Sequence, residues 1–156
     1  MESRENNGPY NIFTETEIDI EFFDIDPMQI VWHGNYIKYF EIGRRALLEK
    51  IGYYYYAMKE TGYTFPVIEV SVKYLNSLRF LDRIRVKTIL MEYENRLVLR
   101  YEIRNVKTGL LTTKGTTTQM AFNIKSGESC FVCPKELIEK VEAFIKYEEL
   151  GMSNEE

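Results

Sequence analysis

Between Tyr36 and about Met58, apolar residues recur at positions 36, 40, 47, 51, 54 and 58, the spacing of one face of an α-helix. Ile37, Ile42 and Leu48 widen that stripe beyond a narrow face, which predicts a helix apolar over most of its girth. Such a helix is stable in water only if other elements wrap it. Gly43 and Ala46 lie inside it, small enough for a sheet to come close. Gly52 offers an earlier stop, near Ile51, followed by a turn.

The rest of the chain supplies the wrapping. From Thr14 the run T-E-T-E-I-D-I-E-F-F alternates, predicting a strand with Ile18, Ile20 and Phe22 on one face. After Gly62 three β segments follow, Phe65–Leu75, Arg83–Tyr93 and Arg96–Val106, and then a fourth, threonine-rich one, Leu110–Ile124. Short E-N and K-T-G connections carry hairpin chemistry. A short strand piece at Phe131 and Val132 is expected before Pro134, which can sit in the first turn of a C-terminal helix over KELIEKVEAFIKYEEL. Residues 1–12 read as a loose arm and the tail MSNEE as frayed. The order strand, long helix, four antiparallel strands, helix predicts one α+β domain over residues 1–156, with a sheet bent around a central helix.

Composition narrows the function classes. Hydrophobic residues make up 45% and charged residues 28%, the balance of an ordinary globular domain. A net charge of −4 speaks against nucleic acid, which needs a concentrated basic surface. No apolar run reaches the roughly 18 residues of a membrane span, and MESRENNGPY has no signal-peptide core, so a cytoplasmic protein is expected. Cys130 and Cys133 form a C-x-x-C with no second pair and the one histidine far upstream; two reduced, partly buried thiols are expected, with no metal and no redox cofactor. The run Tyr53–Tyr56 sweeps all sides of a helix, and a buried hydroxyl needs a partner, which favours an oligomer.

The stretch Asp24–Gly34 breaks regular structure at Pro27 and Gly34 and reads as a loop, with Asn35 a good helix cap. It holds the chain's single histidine, His33, seven residues past Asp26. The segment F-F-D-I-D-P-M-Q-I-V-W-H-G-N-Y-I-K-Y-F-E resembles the signature of hotdog-fold acyl-CoA thioesterases. It is most similar to the 4-hydroxybenzoyl-CoA thioesterase branch and its Tol–Pal-associated relatives, and the resemblance covers roughly residues 14–146. It implies that Asp26 is the catalytic carboxylate and that His33 stands beside the thioester carbonyl, where relatives carry histidine or tyrosine. Gly34 and Asn35 would open the helix. One departure is visible: Met28 and Gln29 stand where the family often has small residues, frequently including a glycine.

The chemistry suits those residue types. A helix's first turn has amide groups with no intrahelical partner and a dipole of about half a positive charge, so the backbone of His33, Gly34 and Asn35 is a candidate oxyanion hole. Asp26 would act as nucleophile or as general base for water. Taken singly, each residue also has a structural reading: Asp26 as a turn residue before Pro27, Asn35 as a plain cap, His33 as a structural histidine. Glu41 could orient the site from the helix or pair with Arg44 or Arg45. Lys73, Arg79, Arg83 and Arg85 are candidates for a basic rim around the phosphates of coenzyme A, or an ordinary solvated strand face. The resemblance further implies a homodimer or a tetramer built as a dimer of dimers. An acyl-carrier-protein thioesterase and a non-catalytic acyl-binding protein of the same fold are the competing readings. A hotdog dehydratase lacks the second histidine its chemistry would call on.

Overall fold

The computed structural model describes residues 6–151; the tail MSNEE lies outside them. Five strands form one antiparallel sheet in the order β1-β4-β5-β6-β3: β1 (Phe13–Asp19), β3 (Val67–Tyr74), β4 (Arg83–Glu92), β5 (Leu97–Asn105) and β6 (Leu111–Gln119). The long helix α1 (Asn35–Ile51) lies across one face of it. A short helix α2 (Tyr55–Glu60), a three-stranded sheet of β2 (Tyr63–Thr64), β7 (Ala121–Asn123) and β8 (Glu128–Cys130), and helix α3 (Lys135–Glu149) complete the chain. This is the hotdog arrangement, an antiparallel sheet wrapped on a central helix with a C-terminal helix beside it.

Helix α1 is narrower than its sequence suggests. Tyr36, Tyr39, Phe40, Gly43, Leu47, Leu48 and Ile51 are buried, a single stripe at helical spacing. Ile37 and Ile42, expected to widen the stripe, are 42% and 37% exposed, so the sheet covers one side and leaves the other open. The helix stops at Gly52, in the left-handed conformation with φ 81°, and the Tyr53 amide reaches back to the Leu48 carbonyl at 2.9 Å. Tyr54 and Met58 therefore fall outside it. Of the four tyrosines, Tyr53 is buried with its hydroxyl 3.0 Å from Thr61 Oγ1, while Tyr55 and Tyr56 are exposed.

Glycine sets how closely sheet and helix meet. Gly115 on β6 faces Tyr101 on β5, and the Phe40 ring stacks on Tyr101 at 4.4 Å, over the spot a β-carbon at 115 would fill. Gly43 gives the same clearance to Val86 and Thr88 of β4.

Several boundaries differ from the sequence reading for local reasons. Strand β1 ends at Asp19, and Phe22 sits in a single 3-10 turn, Phe22–Asp24, exposed and edge-on to Phe80 at 5.6 Å rather than on the strand's inner face. The Leu110–Ile124 segment is not one strand: it breaks at Met120, whose amide turns to the Pro66 carbonyl, and its far part joins the small sheet. The short strand near Pro134 is Glu128–Cys130, with Phe131 and Val132 exposed beyond it. The arm expected to be loose is tied down from residue 6: Ile12 is fully buried, Tyr10 meets Tyr93 edge-on at 5.0 Å, and Lys87 donates to Asn7 at 2.6 Å. Cys130 and Cys133 are free thiols, and burial pushes the Cys133 thiol up to about 12, so it is a protonated core group at neutral pH.

The Gly115 clearance predicts a stability cost. Gly115→Ala forces a methyl into a ring pinned against Tyr101, so we expect a loss of about 2 kcal/mol, read as a fall of roughly 4–8 °C in Tm for a chain this size. An unchanged melting temperature would remove the close-approach account.

Candidate active site

The loop from Asp24 to Gly34 is held by one residue. Asp24 is 2% exposed; its carboxylate accepts the Glu21 amide at 2.9 Å and the Lys38 ammonium. Its backbone carbonyl accepts the Trp32 amide at 3.0 Å and the Asn35 side-chain amide at 2.7 Å. Burial by itself raises the Asp24 pKa, but the bonds from Lys38 and Glu21 outweigh it and hold the carboxyl below its ordinary range. Asn35 is thus the first helical residue, not the cap; Gly34 stands at the N-cap, without a side-chain cap bond. The Asn35 side chain ties the helix to the loop instead.

Between these anchors the chain makes a narrow finger. Ile25 and Val31 bridge, the Asp26 amide donates to the Ile30 carbonyl at 2.8 Å, and Gln29 turns the tip with φ 69°. A left-handed conformation costs a residue with a side chain about 1–2 kcal/mol, a strain that a glycine at this tip would not carry. Asp26 Oδ1 accepts the Met28 amide at 2.8 Å.

Asp26 and His33 come together on the wall of one cleft of about 220 Å³ at the mouth of α1. Met28, Ile30, Val31 and Tyr36 line the same cleft, together with Tyr74, Leu75, Asn76 and Ser77 from the end of β3 and the loop after it. Burial, with Tyr74 next in effect, raises the Tyr36 phenol to about 12. The Asn35 amide is already used, donating to the Trp32 carbonyl at 2.9 Å, whereas among the described residues nothing takes up the amides of His33 or Gly34. Gly34 is needed for space: a methyl there would overlap the Trp32 indole.

Other sequence candidates lie elsewhere. Glu41 is exposed and pairs with Arg44 at 3.0 Å, away from the cleft lining. Arg83 binds Glu17 and Asp19 at 2.8 and 2.6 Å, and Arg85 binds Glu17 at 3.0 Å, all on the β1–β4 side with two strands between them and β3. Lys73 precedes Tyr74 on β3 and so projects from the opposite face, with its Cα paired to that of Lys114. Arg79 follows the cleft-lining loop by two residues, its amide bonded to Asp82 at 2.8 Å. Sequence reasoning missed Tyr74 and Asn76, which reach the helix mouth only through sheet topology. It also missed the role of Asp24, whose one sequence signal is its place as the first acid of D-x-D.

The antiparallel wrap and its helix define a hotdog protein. The chain belongs to the thioesterase-like superfamily, whose family profile matches residues 20–143. It is 30% identical over 114 residues to the Bacillus subtilis protein named "Putative acyl-CoA thioesterase YneP", covering 72% of this chain and 82% of that one. It is similar to the crystal structure of a DHNA-CoA thioesterase from Staphylococcus aureus, with 29% identity and a TM-score of 0.76 over 92% of this chain and 96% of the other. A 4-hydroxybenzoyl CoA thioesterase mutant complexed with 4-hydroxybenzoyl CoA shares the fold, with 19% identity and a TM-score of 0.74 over 83% and 99%.

Removing the Lys38 ammonium strands a buried carboxylate. The Lys38 side chain is half-exposed and Glu21 still donates, so Lys38→Met is expected to cost about 1–3 kcal/mol at pH 7. Because Asp24 has a depressed folded pKa, its contribution is present above its unfolded value near 3.8 and is lost as pH falls through the folded one. The gap between wild type and variant in urea unfolding should therefore close below about pH 4; a gap independent of pH would separate Lys38 from the Asp24 charge.

Proposed function

We propose that this chain hydrolyses acyl-CoA thioesters to free acid and coenzyme A in the cleft between the Asp26 finger and the mouth of α1. The observation that carries the reading is that Asp26 and His33 line one cleft at the start of a helix. The names of the relatives support the same substrate class. Kinship to the 4-hydroxybenzoyl-CoA branch is the finer part of the proposal.

Asp26 Oδ1 is engaged by Met28, which leaves Oδ2 for the reaction. In one route Oδ2 adds to the thioester carbon and expels the coenzyme A thiolate, giving a mixed anhydride that water then opens. In the other, Asp26 takes a proton from a water that adds directly. Both routes place negative charge on the carbonyl oxygen, where the free amides of His33 and Gly34 and the helix dipole stabilise it. Both end in one acid and one thiol. The His33 side chain positions the carbonyl or water, or protonates the departing thiolate. A cleft of about 220 Å³ is smaller than the roughly 300–1,000 Å³ of a pocket for a whole drug-sized ligand. It holds the acyl end and leaves the nucleotide outside, with Arg79 the remaining rim candidate.

Thiol release from a panel of short, long and aromatic acyl-CoAs tests the activity. Asp26→Asn should lose about 1,000-fold or more in kcat while keeping its melting temperature, and His33→Ala should retain measurable turnover. Near-wild-type rates for Asp26→Asn would overturn the assignment. Turnover of acyl-carrier-protein substrates alone would make this a carrier-protein thioesterase, and binding without release an acyl-binding protein.

Among the described residues strand β3 is paired only to β6, and it exposes Val67, Ile68 and Val70. That supports a homodimer joined edge to edge into one continuous sheet, with a dimer of dimers as the next level. Light scattering should give at least twice the chain mass at micromolar concentration; a monomer there would sink the edge pairing.

A further inference from the structure

Two consecutive peptide groups at the mouth of α1 are each held by their carbonyl. The Trp32 carbonyl accepts the Asn35 amide at 2.9 Å, and the His33 carbonyl accepts the Tyr74 hydroxyl at 2.8 Å. A trans peptide is planar, so its N–H points opposite to its C=O, and neither peptide is cis. Fixing the first carbonyl therefore aims the His33 amide, and fixing the second aims the Gly34 amide. The first bond is local to the helix start. The second comes from a side chain 41 residues further along the chain, at the end of the edge strand.

The Tyr74 ring is itself braced. It meets the buried Tyr36 ring edge-on at 5.1 Å, and both line the cleft with Asp26 and His33. Without the Tyr74 hydroxyl, the 33–34 peptide would keep its place in the chain but lose the contact that sets its tilt.

We propose that Tyr74 is a positioning residue for the reaction: its hydroxyl fixes the 33–34 peptide and so aims the Gly34 amide at the carbonyl oxygen of the bound acyl group. This rests on the thioesterase reading of the cleft. The geometry also makes catalysis depend on the edge strand, because the peptide that receives the charge is fastened to β3 and not to the helix alone.

Tyr74→Phe removes only the oxygen and leaves the ring on Tyr36. The expected result is a loss of about 5- to 20-fold in kcat, the size of one hydrogen bond's worth of aim. KM should stay within about twofold and the chain should melt within a few degrees of wild type. Two signals follow the peptide itself. In ligand-free protein the Gly34 amide resonance should move. In Asp26→Asn with a carbonyl-labelled aromatic acyl-CoA bound, the thioester stretch should lie below its free value and return most of the way towards it when Tyr74→Phe is added. An unmoved Gly34 resonance, with kcat within twofold of wild type, would overturn the positioning role while Asp26→Asn stays inactive. An active Asp26→Asn would instead bring down the thioesterase reading on which it rests.

Discussion

A buried carboxylate is expensive unless it is hydrogen-bonded, and Asp24 is met at its carboxylate by Glu21 and Lys38 and at its backbone carbonyl by Trp32 and Asn35. Glu21 comes from before it, Trp32 from its far end, and Asn35 and Lys38 from the first turns of α1. The consequence is geometric. Once Asp24 is satisfied, the loop's two ends and the helix start are at fixed separation, and Asp26 lies two residues along a finger that cannot swing. The carboxylate proposed to react is thus placed by its neighbour's hydrogen bonds, while its own Oδ1 accepts the Met28 amide.

Much of the architecture was legible because it follows from period. The stripe through Tyr36, Phe40, Leu47 and Ile51 and the alternating β segments specify a helix under an antiparallel sheet, and the sheet forms with nearly the expected strands. What period cannot show is which side of a helix is left open, since Ile37 and Ile42 are as apolar as their buried neighbours. Nor does it show where a β run changes sheets, as at Met120, where the Pro66 carbonyl draws the amide away. The N-terminal segment looked loose because it is polar, yet Asn6 and Asn7 give their oxygens to Arg100 and Lys87.

The cleft was half legible. Asp26 and His33 stand close in sequence, within a motif, and the fold brings both to one cleft. The rest of its lining is built by topology: β3 pairs β6, and that pairing delivers Tyr74 and Asn76 to the helix mouth. The basic residues were ambiguous for a related reason. A run of alternating charge reads alike whether it borders a ligand or a neighbouring strand, and Arg83 and Arg85 spend theirs on the acids of β1.

Trp32 is the chain's one tryptophan, half-exposed, lying against His33 at 5.1 Å and filling the space above Gly34. Indole emission from this protein is therefore a local signal, produced at the cleft's threshold and nowhere else. A quencher that reaches the start of α1 changes the environment of that ring directly. The molecule carries a built-in optical probe whose position was decided by a glycine.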